Sequence, residues 1–579
     1  MTHEAMEAGL PAGSAADADR PLRIALLTYK GNPFCGGQGV YVRHLSRELA
    51  RLGHQVEVIG SQPYPVLDEG EGLDGLSLTE LPSLDLYRHP DPFRTPGRDE
   101  FRDWIDAVEV AAMWTGGFPE PLTFSLRARR HLRARRGDFD VVHDNQTLGY
   151  GLLGDVGAPL VTTIHHPITV DRQLELDAAE GRRRRMSVRR WYAFTRMQKR
   201  VARRLPSVLT VSGTSRQEIV DHLGVRDDRI HVVHIGADTD LFSPDPSVPQ
   251  VPGRIVTTSS ADVPLKGLVF LVEALAKIRT EHPAAHLVVV GRRAEDGPVA
   301  QLIERYGLEG AVRFVKGISD AELVDLVRSA EVACVPSLYE GFSLPAAEAM
   351  ATGTPLVATT GGAIPEVTGP DGEACLAVPP GDAGALAAAL SRLLGDAGLR
   401  ERLGSAGRRR VLERFTWARA AEGTAARYRE AIATHRSASG TPSSPAPRPP
   451  ARSAAARDAD RAPAAAAPSA SSAAADTASA TTAPAAPTRT SGAASATAAP
   501  ARTADRTAGA PASTTPAPAD APPAVSANRT SGTASAASAD TVAATPAGNG
   551  SAPVNHTPTS VNHAPAPVDT PHRESRTTC

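Results

Sequence analysis

The chain has 579 residues, with 62 Lys plus Arg against 64 Asp plus Glu and only 4% aromatics. Without a basic excess, no global field points to nucleic acid as a partner. Cys35, Cys334, Cys375 and Cys579 form no close pair, which argues against a disulfide framework or a zinc motif and fits a reducing, cytoplasmic compartment.

Residues 1–20 are Ala-rich and polar, with no basic head followed by an apolar run. They are expected to be a disordered segment rather than an export signal, and no later run of about 18 apolar residues suggests a membrane span. Strands then alternate with amphipathic stretches. Arg23 to Thr28 is a buried strand, Gly31 to Gly39 a glycine-bearing loop, and Val40 to Gly53 a helix whose Val40, Leu45, Leu49 and Leu52 form one stripe. Further strands are predicted at Gln55 to Ile59, Asp140 to Asp144, Leu160 to His165, Val208 to Ser212 and Ile230 to His234. The Pro-rich stretch 242–253 reads as a linker.

The rhythm restarts with strands at Arg254 to Ser260, His286 to Gly291, Val312 to Gly317, Val332 to Ser337 and Pro355 to Thr360. The reading is therefore an α/β chain of two doubly wound, Rossmann-like domains, 21–241 and 254–416, followed by a final helix over 417–436. Ligands of such sheets bind outside the carboxyl ends of the strands, so two facing arrays place the active site in the cleft between them. From Thr441 onward, Ala, Pro, Thr and Ser make up 103 of 139 residues, with no Leu, Ile, Met or aromatic. Nothing there offsets chain entropy, so 437–579 is expected to be a disordered tail.

Chemistry concentrates in Pro336 to Val367, PSLYEGFSLPAAEAMATGTPLVATTGGAIPEV. A strand ends at Ser337 and a helix should start near Leu344 or Pro345, because Pro suits a first helical position. The amides of Gly341, Phe342, Ser343 and Leu344 would then lie at a helix N-terminus, a natural phosphate site. Glu340 falls in the loop and Glu348 one turn into the helix, so both can face one ligand. As isolated acids they are explained equally well by helix capping.

With seven residues between its two glutamates, EGFSLPAAEAMATGTPLVAT resembles the signature of glycosyltransferase family 4, retaining GT-B enzymes that use nucleotide-diphosphate sugars. The resemblance runs from Arg23 to about Arg429 and includes CGGQGVYVRHLSRELARLGHQVEV, the TIHH strand end, TVSGTSRQEIVDHLG, HIGADTDLF and the pair Lys266-Gly267. It implies a hexosyltransferase, similar to actinobacterial phosphatidylinositol mannosyltransferases, acting on a glycan, lipid-linked or small-molecule acceptor. It further implies that Glu348 binds the ribose and Glu340 the transferred sugar, that the amides of 341–344 meet sugar and diphosphate, and that Lys266 neutralises the leaving diphosphate. By the same resemblance Gly36 and Gly37 approach the donor phosphates and His165 lies near the transferred sugar. His166 and Asp144 are candidate acceptor contacts, although Asp144, Asn145 and Gln146 read equally well as helix-capping residues.

The family usually carries Gly-Arg five residues before the lysine. Here Ser260 and Ala261 stand at those places, so one cation is missing, and Arg292 is a candidate to assist. That departure motivates a rival reading, a sugar-nucleotide-binding scaffold with weak catalysis. A nucleotide-sugar epimerase of the same architecture is a second rival, disfavoured by EGFSLPAAE. The pairs Asp138 with Asp140 and Asp238 with Asp240 read as structural, so no metal and no cofactor are expected. Arg182 to Arg204 holds 11 basic residues and no acid, with Trp191, Tyr192 and Phe194 interleaved. One reading is a basic amphipathic helix on an anionic membrane, making 182–204 a peripheral contact at the inner face; the other is a solvated helix that packs its aromatics into the first domain.

Overall fold

Arg23–Thr28 (β1) is buried at five of its six positions, as a parallel strand covered on both faces must be. The computed structural model describes residues 20–439 apart from 32–36, 89–90, 92, 260–262 and 294–295. The expectations placed on residues 1–19, Gly36, Ser260, Ala261 and 440–579 lie outside the described residues.

The first lobe is a parallel sheet of β1, Gln55–Gly60 (β2), Leu76–Glu80 (β3), Val141–Asn145 (β4), Leu160–Thr163 (β5), Ser207–Thr210 (β6) and Ile230–Val232 (β7). Their order is β3-β2-β1-β4-β5-β6-β7. The order reverses between β1 and β4, which pair directly with Ile24 opposite Val141. Helix Gly37–Arg51 crosses from β1 to β2 with Val42, Leu45 and Leu49 in the core. It starts three residues before the apolar stripe does.

The second lobe holds Val251–Thr258 (β8), His286–Val290 (β9), Val312–Val315 (β10), Ala330–Val335 (β11), Leu356–Thr359 (β12) and Leu376–Val378 (β13) in the order β10-β9-β8-β11-β12-β13, again all parallel. Its reversal falls between β8 and β11. The expected linker is too long. Phe242 is buried, and β8 already begins at Val251, where Pro252 and Gly253 sit in a register shift against β11. Proline and glycine are tolerated in a strand at such an irregularity. Strands β3 and β13 escaped the sequence reading because the first, LSLTE, is half exposed at an edge and the second has three residues.

Helix Trp417–Ser439 returns to the first lobe. Trp417 stacks on His44 at 5.1 Å, and Tyr428, fully buried, hydrogen-bonds His143 Nδ1 at 2.5 Å. One core cluster runs from β1 and Tyr41 through Phe342 and Phe415 to Tyr428 and Ile432, so both lobes and the last helix share apolar packing. Both lobes belong to a single compact unit.

The basic stretch is not one helix. Gly181–Trp191 and Thr195–Ala202 are separate helices joined by a turn at Tyr192–Phe194. Trp191 and Phe194 pack on Phe118, while Arg182 to Arg185, Arg189 and Arg190 stay exposed. The aromatics therefore follow the second of the two readings. Among the described residues no helix is long and apolar enough to cross a membrane.

Candidate active site

The switch point of the second sheet is where β8 and β11 hand over to their loops, and both loops carry predicted residues. After β8 the chain makes a short turn, Pro264–Lys266, tied to the other loop by Leu338 N donating to Leu265 O at 2.8 Å. Gly267 follows at φ +64°, and a Cβ there would lie 2.1 Å from Pro336 O, so only glycine lets the turn sit against the end of β11. This places Lys266 Nζ 2.8 Å from Glu340 Oε1, which also accepts Ser337 Oγ at 2.6 Å. Lys266 keeps a third of its side-chain exposure while Glu340 is largely covered.

Helix Leu344–Ala351 begins where expected, with Pro345 in its first turn and Glu348 one turn in, half-buried. Its N-cap, Ser343, has φ +88°, a left-handed backbone that a serine adopts only at a cost. Its Oγ is buried with no hydrogen-bond partner among the described residues. Strain and an unsatisfied hydroxyl in one residue mark a place built for a polar ligand. Phe342 differs from its neighbours. Its ring is core, 5.7 Å from Phe415, so only its backbone can take part. Arg292 lies exposed in the loop after β9, on the same rim.

The first-lobe switch point lies between β1 and β4, with β5 next. Gly37 opens its helix there, and a Cβ on it would meet no described atom within 4 Å. His165, just past β5, is held at its backbone and at its ring, and His166 is tied to the same loop. Gln146 Oε1 accepts His165 N at 2.7 Å, Gln146 Nε2 donates to His166 O at 2.9 Å, and Asn145 Oδ1 bonds the His165 ring at 2.8 Å. Asn145 and Gln146 are thus clamps on the histidine pair, not caps of a following helix. Burial pushes the His165 pKa down to about 3, so its ring is neutral at pH 7. His166 is different: burial opposes protonation, but a 2.9 Å bond to Asp171 and that carboxylate's charge raise its pKa.

Asp144 is corrected as an acceptor contact. It is 1% exposed and its oxygens accept the amides of Thr147 and Leu148, so it shapes the loop below the rim. Burial lifts its pKa to about 6. Of the two aspartate pairs, Asp140 bonds Arg23, Asp138 bonds Arg135 and Asp238 bonds Arg47. No cluster of three or more metal-ligating side chains occurs among the described residues.

The two rims touch. Ser212 and Ser215, beyond β6, donate to Gly341 O at 2.7 and 3.3 Å. A Cβ on Gly341 would stand 3.6 Å from His165 O, which brings the histidine rim against the Glu340 loop. Glu366, on the Ile364–Thr368 helix after β12, accepts Gly213 N, Thr214 N and Thr214 Oγ1 at 2.8, 2.9 and 2.8 Å. Ser212, Ser215 and Glu366 were not singled out in the sequence. TVSGTSRQ and GGAIPEV lay in view, but nothing local says that they meet.

Paired parallel sheets with their switch points turned toward one cleft, a lysine and an acid on one side and a clamped histidine on the other, define a GT-B glycosyltransferase. The comparisons with known proteins agree in each lobe. Residues 35–241 match the family described as Glycosyltransferase Family 4 and residues 244–410 that described as Glycosyl transferases group 1. The chain is 54% identical to the MMP alpha-(1->4)-mannosyltransferase of Mycolicibacterium hassiacum over 415 residues, 71% of this chain and 99% of that one. It is 28% identical to a D-inositol 3-phosphate glycosyltransferase of Kineococcus radiotolerans, covering 71% and 95%. Among solved structures, sucrose-phosphate synthase of Thermosynechococcus elongatus superposes with a TM-score of 0.54 at 25% identity, covering 71% of this chain and all of the other. The protein belongs to glycosyltransferase family 4 and is a hexosyltransferase.

Proposed function

We propose that the protein moves a mannosyl unit from a nucleotide-diphosphate sugar to a glycan acceptor, with retention of configuration and formation of an α-(1→4) link. The observation that carries this reading is the Lys266–Glu340 contact at the mouth of the second-lobe switch point, opposite His165. The sugar and linkage follow the printed name of the relative that is 54% identical. Lys266 and the amides of Gly341 to Leu344 take the diphosphate, Glu348 the ribose and Glu340 the transferred hexose. When the diphosphate leaves, Lys266 exchanges its carboxylate partner for the developing phosphate charge. The same leaving oxygen accepts the acceptor's proton on the front face. His165, neutral through burial, orients the sugar by hydrogen bonding and does not act as an acid. The protein's share of catalysis is positioning and charge compensation.

The test is a panel of UDP- and GDP-sugars, scored by thermal shift and then by transfer to α-(1→4)-mannobiose, with the anomer read by NMR. GDP- or UDP-mannose should stabilise the protein and yield an α-linked product. A β-linked product, epimerised donor without transfer, or donor binding with no turnover on any acceptor would each refute this reading.

A further inference from the structure

Six aromatic side chains gather at one place on the first lobe. Phe118 is the hub, with ring centroids of Trp191, Phe194 and Tyr87 at 5.2, 5.3 and 5.5 Å. Trp191 also meets Tyr87 at 5.6 Å and Phe93 at 6.1 Å, and Tyr192 stacks on Phe194 at 6.2 Å. Rings clustered so closely are ordinarily sealed in a core, yet here Phe93 is 59% exposed and the other five are only half-buried. Phe118 and Tyr87 also pack against the first-lobe core, so the cluster is anchored from below while Phe93 stands out at its edge.

Both ends of the cluster touch the rim of the active site. Lys30, directly beyond β1, sits 4.9 Å above the Phe118 ring and 3.7 Å from Glu120 Oε2. At the other end Tyr192 Oη donates to Glu175 at 2.8 Å. Glu175 lies one turn beyond Asp171 on helix Ile168–Ala178, and Asp171 holds the His166 ring. The rings therefore form a shelf from the end of β1 to the histidine pair, bordered by Lys30, by Arg189 and Arg190 next to Trp191, and by the carboxylate of Glu175. Apolar faces framed by hydrogen-bonding groups suit pyranose rings, whose C–H faces lie on aromatics while their hydroxyls reach the polar border.

We propose that this aromatic shelf is an extended acceptor platform, which holds the inner sugars of a linear neutral oligosaccharide while its terminal hydroxyl enters the cleft beside His165 and His166. The natural acceptor is then a growing glycan chain and not a single sugar. The inference rests on the transfer reading above but is tested apart from it. Saturation-transfer NMR on the full chain without donor, using α-(1→4)-mannooligosaccharides of one to six units, measures the platform directly; initial-rate kinetics with the same series measures its use. Each further stacked ring should improve binding by up to about tenfold. The KM of the two-unit acceptor should therefore exceed that of the six-unit acceptor by about tenfold or more, and in Phe93→Ala this ratio should fall toward one. Because Phe93 is the most exposed ring, its loss should leave folding intact, checked by circular dichroism; Trp191→Phe should give an intermediate ratio. Length-independent binding, or an unchanged ratio in Phe93→Ala, overturns the proposal, as does Phe93-dependent sedimentation with vesicles of 30% anionic lipid. If no acceptor is glycosylated but Phe93-dependent saturation transfer persists, the transfer reading fails and the platform stands.

Discussion

Replacing Glu366 by glutamine should loosen the closed arrangement of the two lobes without touching the donor-binding residues. Its carboxylate, carried by the second lobe, takes three hydrogen bonds from Gly213 and Thr214 at the start of the first-lobe helix Gly213–Glu218. A glutamine keeps the shape but removes the charge and turns an N–H₂ toward one of two backbone amides. Hydrogen bonds to a charged group are worth about 1.5–3 kcal/mol each, but Glu366 is half-buried and water re-solvates the freed groups when the lobes part. A net loss of about 2 kcal/mol is a reasonable value, equivalent to roughly a 30-fold shift from closed toward open. Donor KM should rise by about tenfold or more while kcat at saturation changes less, since closure is then driven by the donor itself. Thr214→Val, which removes only the hydroxyl bond, should cost about threefold. Small-angle scattering should report an expanded particle for Glu366→Gln and recompaction on adding donor. Wild-type donor affinity together with an unchanged scattering profile would show that the bridge does not hold the cleft closed.

Glu348→Ala should weaken donor binding by about tenfold or more, whereas Glu340→Gln should mainly lower kcat, by about 100-fold, because the proposed mechanism sets Glu348 on the ribose and Glu340 on the reacting sugar; calorimetry and initial rates on both variants separate the effects, and equal near-wild-type kinetics would remove the assigned site. If Lys266 and the helix amides neutralise the diphosphate as proposed, EDTA should leave transfer unaffected; a loss restored by Mg²⁺ or Mn²⁺ would contradict this. His143 is fully buried between Tyr428 and Thr163, and burial pushes its pKa down to about 3. The unfolded chain binds that proton near pH 6.5, so the stability this neutral ring confers is complete above pH 6.5 and is lost on acidification toward 3, by about 1.4 kcal/mol per pH unit at most. Urea midpoints at pH 7 and 5 should therefore converge in His143→Gln relative to wild type.

The elements and half of the site were legible because they are local. RIALLT reads as a buried strand from six residues, and the segment around Glu340 and Glu348 carries strand end, loop and helix start within one short stretch; the helix starts at Leu344 as expected, while the strand ends at Val335, two residues before the expected Ser337. Lys266 was singled out only through the family resemblance, and the structure adds that Gly267 makes a turn there that only glycine can make. What the sequence alone could not decide is which of these segments meet. His143 and Tyr428 are 285 residues apart, Glu366 and Gly213 are 153 apart, and each pair is brought together by lobe packing that leaves no local periodicity. The fate of Asp144 and of Trp191, Tyr192 and Phe194 was open for a related reason. A carboxylate after a strand, or an aromatic among arginines, has the same local pattern whether it faces ligand, solvent or core. Only the tertiary surroundings separate these cases, because burial and hydrogen-bond partners, supplied by distant parts of the chain, set the cost of each orientation.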